Sequence, residues 1–241
     1  MDFSLLFLKI DEILKEKGKI SIGIDGDCCS GKTTLARMIS EKYSCQVIHM
    51  DDFFLPFELR SEERYKEPGG NFHYERFIKE VLPNLNSEKE FSYGVFDCSV
   101  MKINSSNTIK ENKVRLVEGS YSMHPKLIEA YDVLIICGFV GMNTNCEITT
   151  LGRGGSDYTA VLVAKMLGID EVEIYTDVDG IYDSDPKINI HAKRYQEITY
   201  HRMLAMHSKV LHDKCVEFAQ KNKIKIHLKG TFSNEDGTIV N

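Results

Sequence analysis

Hydrophobic positions along this chain follow two alternating patterns. Short apolar runs are each followed by a longer stretch in which apolar residues recur at helical spacing. This alternation predicts strands and helices in turn, and it is typical of an α/β fold with a parallel sheet and helices on both faces. The first 19 residues mix apolar and charged positions at helical spacing, which favours an amphipathic helix over a signal peptide. The expected location is therefore the cytoplasm.

The predicted elements form two series. In the first half, strands are predicted at 19–24, 46–50, 114–118 and 132–137, with helices at 32–42, 74–82 and 125–130. In the second half, helices are predicted at 158–167 and 208–221, with strands at 171–176 and 223–228. Residues 104–112 and the tail from Ser233 are predicted to be flexible. No linker rich in Pro, Gly or Ser separates the halves, and the expected boundary near Cys137 gives domains 1–137 and 138–241.

Composition narrows the class of partner. The 241-residue chain is 42% hydrophobic, with a net charge of -6 and a pI of about 5.8. It lacks the basic field that attracts nucleic acid or an anionic membrane. No segment has the roughly 18 apolar residues of a membrane span. We therefore expect a small-molecule substrate and neither a nucleic-acid nor a membrane partner, while an uncovered sheet edge would permit a homo-oligomer.

A glycine-bounded loop between a predicted strand and a predicted helix carries the most specific local signal. Gly26 and Gly31 allow consecutive backbone N–H groups to face an anion, and Lys32 would reach the terminal phosphates. Thr33 offers a hydroxyl to Mg²⁺. The loop therefore predicts binding of ATP with Mg²⁺. The predicted nucleotide-binding residues of this segment are Gly26, Asp27, Cys28, Cys29, Ser30, Gly31, Lys32, Thr33 and Thr34.

Two carboxylates follow later predicted strands. Asp51 comes directly after the strand at 46–50, and Glu118 ends the strand at 114–118. In a parallel sheet both side chains would reach the crevice at the carboxyl ends of the strands. Asp51 is a candidate to accept a proton from an attacking hydroxyl or to hold Mg²⁺ through water, and Glu118 is a second candidate near the metal. The alternative for Asp51 is a turn or a helix cap.

Five segments of the first half stand out as motifs: residues 23–34, 49–56, 68–77, 96–98 and 117–125. Together they resemble the uridine kinase and nicotinamide riboside kinase group of P-loop kinases, over about residues 19–137. The resemblance implies that Asp51 is the general base for a sugar hydroxyl and that Glu118 assists Mg²⁺. It also implies an acceptor pocket shaped by Tyr74, Arg76 and Asp97. The arginine-rich lid helix and the last strand of these kinases have no counterpart here.

Five segments of the second half also stand out: residues 138–141, 148–160, 174–182, 185–186 and 209–212. Together they resemble the C-terminal half of the aspartokinase catalytic domain, of the amino acid kinase fold. The resemblance implies an aspartate-binding side made of Arg153, Ser156 and Asp157. It implies an ATP side made of Thr176, Asp177 and Lys209. The strand, lysine and paired glycines with which that fold begins have no counterpart in the chain.

Three functions stay open at this point. The leading hypothesis is an ATP-dependent kinase that transfers the γ-phosphate to a hydroxyl of a nucleoside-like acceptor. In that hypothesis the second half completes the sheet, Lys32 and Asp51 are catalytic, and Arg153 replaces a lid arginine. The first alternative is aspartokinase-like phosphorylation of the aspartate carboxylate. The second is a nucleotide-binding fusion of two truncated kinases with little or no catalysis.

Overall fold

The computed structural model describes residues 3–26, 30–67, 69–136, 138, 140–142, 148–186, 188–208, 210–233 and 235–241, with the backbone alone for 140–142 and 148–150. The predicted site residues Asp27, Cys28, Cys29 and Lys209 lie outside the described residues. The chain divides into two compact units. Unit 1 is Met1–Cys137 and unit 2 is Gly138–Asn241.

Unit 1 is built on a four-stranded parallel sheet. Its elements are α1 (Ser4–Lys17), β1 (Ile20–Asp25), α2 (Lys32–Tyr43), β2 (Val47–His49), α3 (Glu62–Lys66), α4 (Tyr74–Glu80), α5 (Leu82–Leu85), β3 (Phe91–Asp97), β4 (Lys102–Ile109), β5 (Val114–Glu118) and β6 (Val133–Ile136). The strand order is β2-β5-β1-β6, and every neighbouring pair is parallel. The predicted helix at 125–130 is reduced to a 3-10 turn at Ile128–Ala130.

The strands of unit 1 bury both faces. Successive residues of β5 point to opposite sides, so that Leu116 joins the cluster under α1 and α2 while Val117 joins the cluster under α4 and α5. In β1 the first five residues are all buried, as is typical of a central parallel strand. The predicted sheet with helices on both faces is confirmed for this unit.

A β-hairpin formed by β3 and β4 corrects the prediction that residues 104–112 are flexible. The two strands pair in an antiparallel ladder, from Phe91 opposite Ile109 to Asp97 opposite Lys102. Apart from Ile109, every residue of β4 is exposed, so the segment has no hydrophobic pattern that would predict a strand. Its order comes from pairing with β3, whose Tyr93 is buried in the unit 1 core.

Unit 2 has its own four-stranded sheet. Its elements are β7 (Val140–Met142), β8 (Ile148–Thr150), α6 (Gly155–Leu167), β9 (Glu171–Thr176), β10 (Glu197–Ile198), α7 (Tyr200–Ala205), α8 (Asp213–Asn222), β11 (Lys225–Gly230) and β12 (Thr238–Val240). The order is β10-β12-β11-β9, with β11 parallel to β9 and antiparallel to β12. The core lies between the sheet and helices α6 and α8, and it contains Val161, Cys215 and Ile226.

Three expectations for the second half need correction. The tail from Ser233 is not wholly flexible, because it contains β12 in the interior of the sheet. The helix predicted from residue 208 begins at Asp213. Among the described strands, those of unit 1 and those of unit 2 form separate sheets, so the second half does not complete the first sheet.

No helix in the described part of the chain is long and apolar enough to span a membrane.

Candidate functional site

The predicted phosphate loop of unit 1 lies between β1 and α2. β1 ends at Asp25, and Gly31 caps α2 with a left-handed φ of 91°, which favours glycine. α2 begins at Lys32, which is half-buried, whereas Ser30, Thr33 and Thr34 are exposed. A strand, a loop and a helix N-terminus therefore follow one another in the order that phosphate binding requires.

Glu118 is the centre of a small polar cluster beside this helix. It is only 6% exposed, yet both of its carboxylate oxygens have a partner. Oε1 accepts a hydrogen bond from the Thr33 hydroxyl at 3.2 Å, and Oε2 lies 3.0 Å from His49 Nδ1. The hydrogen bond with His49 lowers the pKa of Glu118 despite the opposing effect of burial. The same hydrogen bond raises the pKa of His49.

Thr33 and Glu118, the two predicted metal ligands, thus lie together. Hydroxyl and carboxylate oxygens are donors that Mg²⁺ accepts, and Mg²⁺ usually retains several waters and takes further ligands from phosphates. Among the described residues there is no group of three or more His, Cys, Asp or Glu side chains that could hold a metal ion. The donor set therefore fits Mg²⁺ delivered with a nucleotide better than a site made of protein ligands alone.

Asp51 and Asp52 follow β2 in a 3-10 turn, Met50–Phe53. Asp51 is exposed and lines a cavity of about 230 Å³ together with Ser120 and Tyr121. The neighbouring Asp52 accepts a hydrogen bond from the Tyr93 hydroxyl at 2.8 Å. Of the two carboxylates, Asp51 faces the cavity, and Asp52 anchors the turn to β3.

The three residues predicted to shape an acceptor pocket do not line that cavity. The Tyr74 hydroxyl donates to Glu67 at 2.9 Å. Arg76 is 8% exposed, donates to the backbone oxygen of Asp52, and pairs with Glu80 at 3.2 Å. The Asp97 carboxylate accepts hydrogen bonds within the hairpin from Ser99 and Asn104. Each side chain is thus engaged inside unit 1.

In unit 2 a glycine turn opens α6. Gly152 and Gly154 have left-handed φ values of 75° and 74°. A Cβ atom added at Gly154 would lie 2.3 Å from the His212 Cβ, so only glycine allows the turn to approach His212 this closely. Arg153, between the two glycines, lines a cavity of about 320 Å³ with Asp157 and His212. Ser156 is exposed and is not among its lining residues.

This first cavity of unit 2, of about 320 Å³, is lined by side chains of both charges. Burial raises the pKa of Asp157, and the nearby His212 opposes that effect. His212 Nδ1 accepts a hydrogen bond from the backbone N–H of Lys214 and so caps α8. The exposed Arg153 guanidinium and the half-buried Asp157 carboxylate, which both line this cavity, can bind both ends of a small zwitterion.

The second cavity of unit 2, of about 720 Å³, lies at the carboxyl ends of β9 and β11. It is lined by Asp177, Asp179, Tyr182, Gly230 and Phe232, among others. Thr176 ends β9, and its hydroxyl donates to the Asp177 carboxylate at 3.0 Å. This is the edge at which open α/β sheets bind ligands. Asp177 lines the cavity, whereas Thr176 is not among its lining residues.

The two cavities of unit 2 are neighbours. Ser208 and Val210 line both of them, on either side of position 209. Arg153 and Asp157, predicted for an aspartate side, and Asp177, predicted for an ATP side, therefore line neighbouring cavities, whereas Ser156 and Thr176 line neither. His49 and His212 were missed in the sequence. In the sequence, His49 begins the motif at 49–56 and His212 ends the motif at 209–212, but neither place indicates the contacts that these histidines make.

Comparison with known proteins points to one family. The model of the amino acid kinase family matches residues 89–230. An aspartokinase of Mycobacterium bovis is 44% identical over 117 residues, which is 47% of this chain and 28% of that protein. The structure of E. coli aspartokinase III with aspartate and ADP is 38% identical, covering 49% of this chain and 27% of that one, with a TM-score of 0.44.

A structure titled as a possible uridine kinase from Bacillus stearothermophilus is 22% identical. It covers 54% of this chain and 80% of that one, with a TM-score of 0.43. Both TM-scores are below 0.5, so the sequence matches alone carry the assignment. The chain spans less than a third of the length of the M. bovis aspartokinase and of E. coli aspartokinase III.

These matches correct the leading hypothesis of the sequence analysis. A nucleoside-like acceptor was expected for the γ-phosphate, but the family model that matches is that of the amino acid kinases, and the relative at 44% identity is an aspartokinase. The roles of Asp51 as a base for a sugar hydroxyl and of Arg153 as a substitute lid arginine were argued from that hypothesis and stay untested predictions. The family model matches more than half of the 241 residues of this chain, so the chain belongs to the amino acid kinase family.

Proposed function

We propose that this chain takes part in ATP-dependent phosphorylation of a carboxylate, that of aspartate, through unit 2. The observation that carries the proposal is the pair of adjacent cavities that share Ser208 and Val210. One cavity offers a cation and a carboxylate at the start of α6, and the other opens at the carboxyl ends of two parallel strands. Phosphoryl transfer depends mainly on positioning and charge, which two adjoining pockets can supply.

On the carboxylate side, Arg153 is assigned to bind a carboxylate group of the substrate. Its planar guanidinium can bind a carboxylate through two parallel hydrogen bonds. Asp157 offers an acceptor for the substrate's ammonium group, and Ser156 at the helix start adds a hydroxyl. The assignments of Arg153 and Asp157 follow the resemblance to aspartokinases and the lining of the first cavity of unit 2, and that of Ser156 follows the resemblance alone.

On the nucleotide side, the proposal assigns ATP to the larger cavity. Asp177 lines it, and Thr176 holds the Asp177 carboxylate. Tyr182 and Phe232 offer aromatic surface for a base. Lys209 is assigned to the phosphates by the resemblance to aspartokinases alone. Mg²⁺ would balance the charge of the phosphates during transfer.

Unit 1 is assigned a separate phosphate site. Here the proposal treats residues 1–137 as a P-loop domain that resembles uridine kinase without its lid and last strand. Residues 26–34 would bind nucleotide phosphates, with Mg²⁺ held by Thr33 and Glu118. The order of β1, loop and α2 and the contact between Thr33 and Glu118 support this assignment. Residues 138–241 are treated as an aspartokinase-like half-domain, and its edge strand β9 is where a second copy could pair.

Two pairs of variants in the full chain test the assignment of unit 2. Asp177→Asn alters the residue that follows the carboxyl end of β9, and Asp170→Asn alters the exposed residue that precedes the other end of the same strand. Arg153→Ala alters the turn before α6, and Lys165→Ala alters the last turn of the same helix. We expect Asp177→Asn to weaken ADP binding and Arg153→Ala to weaken aspartate binding, each about tenfold, because each loses one charge-assisted hydrogen bond. Asp170→Asn and Lys165→Ala should have no effect on binding.

Binding is measured by isothermal titration calorimetry, and aspartyl phosphate is trapped with hydroxylamine. Aspartate binding that does not respond to Arg153→Ala would exclude the assigned carboxylate side. Nucleotide binding without any trapped product would favour the alternative of a nucleotide-binding protein with little catalysis.

A further inference from the structure

We propose that His49 is a positioning residue of the phosphate site in unit 1. Its imidazole holds the Glu118 carboxylate so that Oε1 stays beside the Thr33 hydroxyl. The inference rests on the phosphate site proposed for residues 26–34. It concerns a residue that lies outside the loop and outside the carboxylates that the sequence pattern singles out.

The sheet brings His49 and Glu118 together. β2 and β5 are parallel neighbours, and His49 and Glu118 are register partners on the last rung of their ladder. On the other side of β5, Glu118 is the register partner of Ile24, one residue before the end of β1. The carboxylate therefore stands at the carboxyl edge of the sheet, between the strand that leads into the phosphate loop and the strand that carries His49.

The two oxygens of Glu118 are used differently. Oε2 lies 3.0 Å from His49 Nδ1, and Oε1 accepts from Thr33 at 3.2 Å. The terminal torsion of a glutamate is broad and roughly two-fold, so a carboxylate held on one side only can rotate freely. A hydrogen bond at Oε2 fixes that torsion and leaves Oε1 directed at Thr33. His49 thus fixes the plane of the carboxylate, so that one oxygen stays directed at Thr33.

Burial makes this control matter. The Glu118 side chain is 7% exposed, whereas the His49 side chain is 44% exposed. A buried carboxylate that loses a hydrogen-bond partner reorients toward another donor, because an unpaired buried charge has a high free energy. Removing the half-exposed imidazole opens no cavity in the core. The expected consequence is therefore a reoriented Glu118 rather than an unfolded unit.

The orientation bears directly on a metal. Neighbouring ligands of an octahedral Mg²⁺ with bonds of 2.0–2.1 Å are about 2.9 Å apart. The Thr33 hydroxyl and Glu118 Oε1, at 3.2 Å, are close to that spacing. Partners that orient a metal ligand typically contribute 10–100-fold to metal affinity. We expect His49 to contribute in this way to the Mg²⁺ dependence of nucleotide binding.

The test measures ATP binding to the full chain as a function of Mg²⁺ concentration. Only the part of the binding that Lys32→Ala removes is attributed to the phosphate loop. His49→Leu removes the hydrogen bond, and His49→Asn retains a side-chain N–H near the position of Nδ1. His191→Leu, at an exposed histidine of unit 2, is the matched control.

His49→Leu is expected to raise the Mg²⁺ concentration for half-maximal binding about tenfold, with binding in EDTA unchanged. His49→Asn should restore the native value, and His191→Leu should not depart from it. An unchanged Mg²⁺ requirement in His49→Leu overturns the inference, as does an equal loss with and without Mg²⁺, which would indicate a merely structural role. If Lys32→Ala leaves all ATP binding intact, the phosphate site itself is wrong and the inference falls with it.

Discussion

At the scale of single residues, Arg115 shows how one buried charge organises unit 1. It is 1% exposed, and burial lowers the pKa of its guanidinium. Nε donates to the backbone oxygen of Ser87 and Nη1 to that of Lys110, both at 2.8 Å, and Nη2 donates to that of Lys89. The start of β5 is thereby tied to the segments that lead into and out of the hairpin.

Replacing Arg115 with Met should lower the unfolding free energy of unit 1 by about 3 kcal/mol or more. The substitution keeps apolar bulk but leaves carbonyl groups without their charged donor, and each such loss costs about 1–3 kcal/mol. Urea unfolding followed by far-UV circular dichroism measures the change. Arg37→Met, at an exposed position of α2, serves as the control and should stay within about 0.5 kcal/mol of the native chain.

Spacing along the chain predicted some of these residues and missed others. Thr33 follows from the phosphate-loop pattern, and Glu118 follows from its place at the end of an apolar run. His49 and Arg115 act through partners far away in the sequence, and their contacts depend on strand order and register. Those quantities are set by packing between elements, so no local pattern reveals them.

At the scale of elements, prediction depended on burial. The strands of the parallel sheet in unit 1 are apolar runs, and so were predicted close to their observed positions. β4 and β12 were predicted as flexible because β4 is polar and β12 is only three residues long. Both are ordered by the strands beside them. β12 in addition carries Thr238, which is fully buried.

Thr238→Val should destabilise unit 2 by about 1–3 kcal/mol. The Thr238 hydroxyl accepts from the Ile181 backbone N–H at 2.9 Å and donates to the Tyr195 backbone oxygen at 2.6 Å. Valine has nearly the same shape but provides neither bond. Hydrogen exchange of the β11 and β12 amides is the measurement, with Lys225→Ala, at an exposed position of β11, as the control. Exchange rates equal to those of the native chain would show that β12 is not held through Thr238.

At the scale of the whole molecule, the two units have separate cores. Among the described residues, one hydrophobic cluster lies entirely within unit 2, and two others lie entirely within unit 1. The boundary of the family match differs from the boundary between the units, because the match begins at residue 89, inside unit 1. Sequence similarity and packing therefore divide the chain differently. Packing determines which parts unfold together, since cooperativity follows the buried contacts.

We therefore expect two unfolding transitions in differential scanning calorimetry. Arg115→Met should lower one of them and Thr238→Val the other, each by roughly 4 °C or more for domains of this size. Aspartate should raise only the transition that Thr238→Val lowers, because ligands stabilise the unit that binds them. The double variant should show both shifts unchanged, since the two side chains share no partner. A single transition, lowered by either substitution, would mean that the chain unfolds as one cooperative unit.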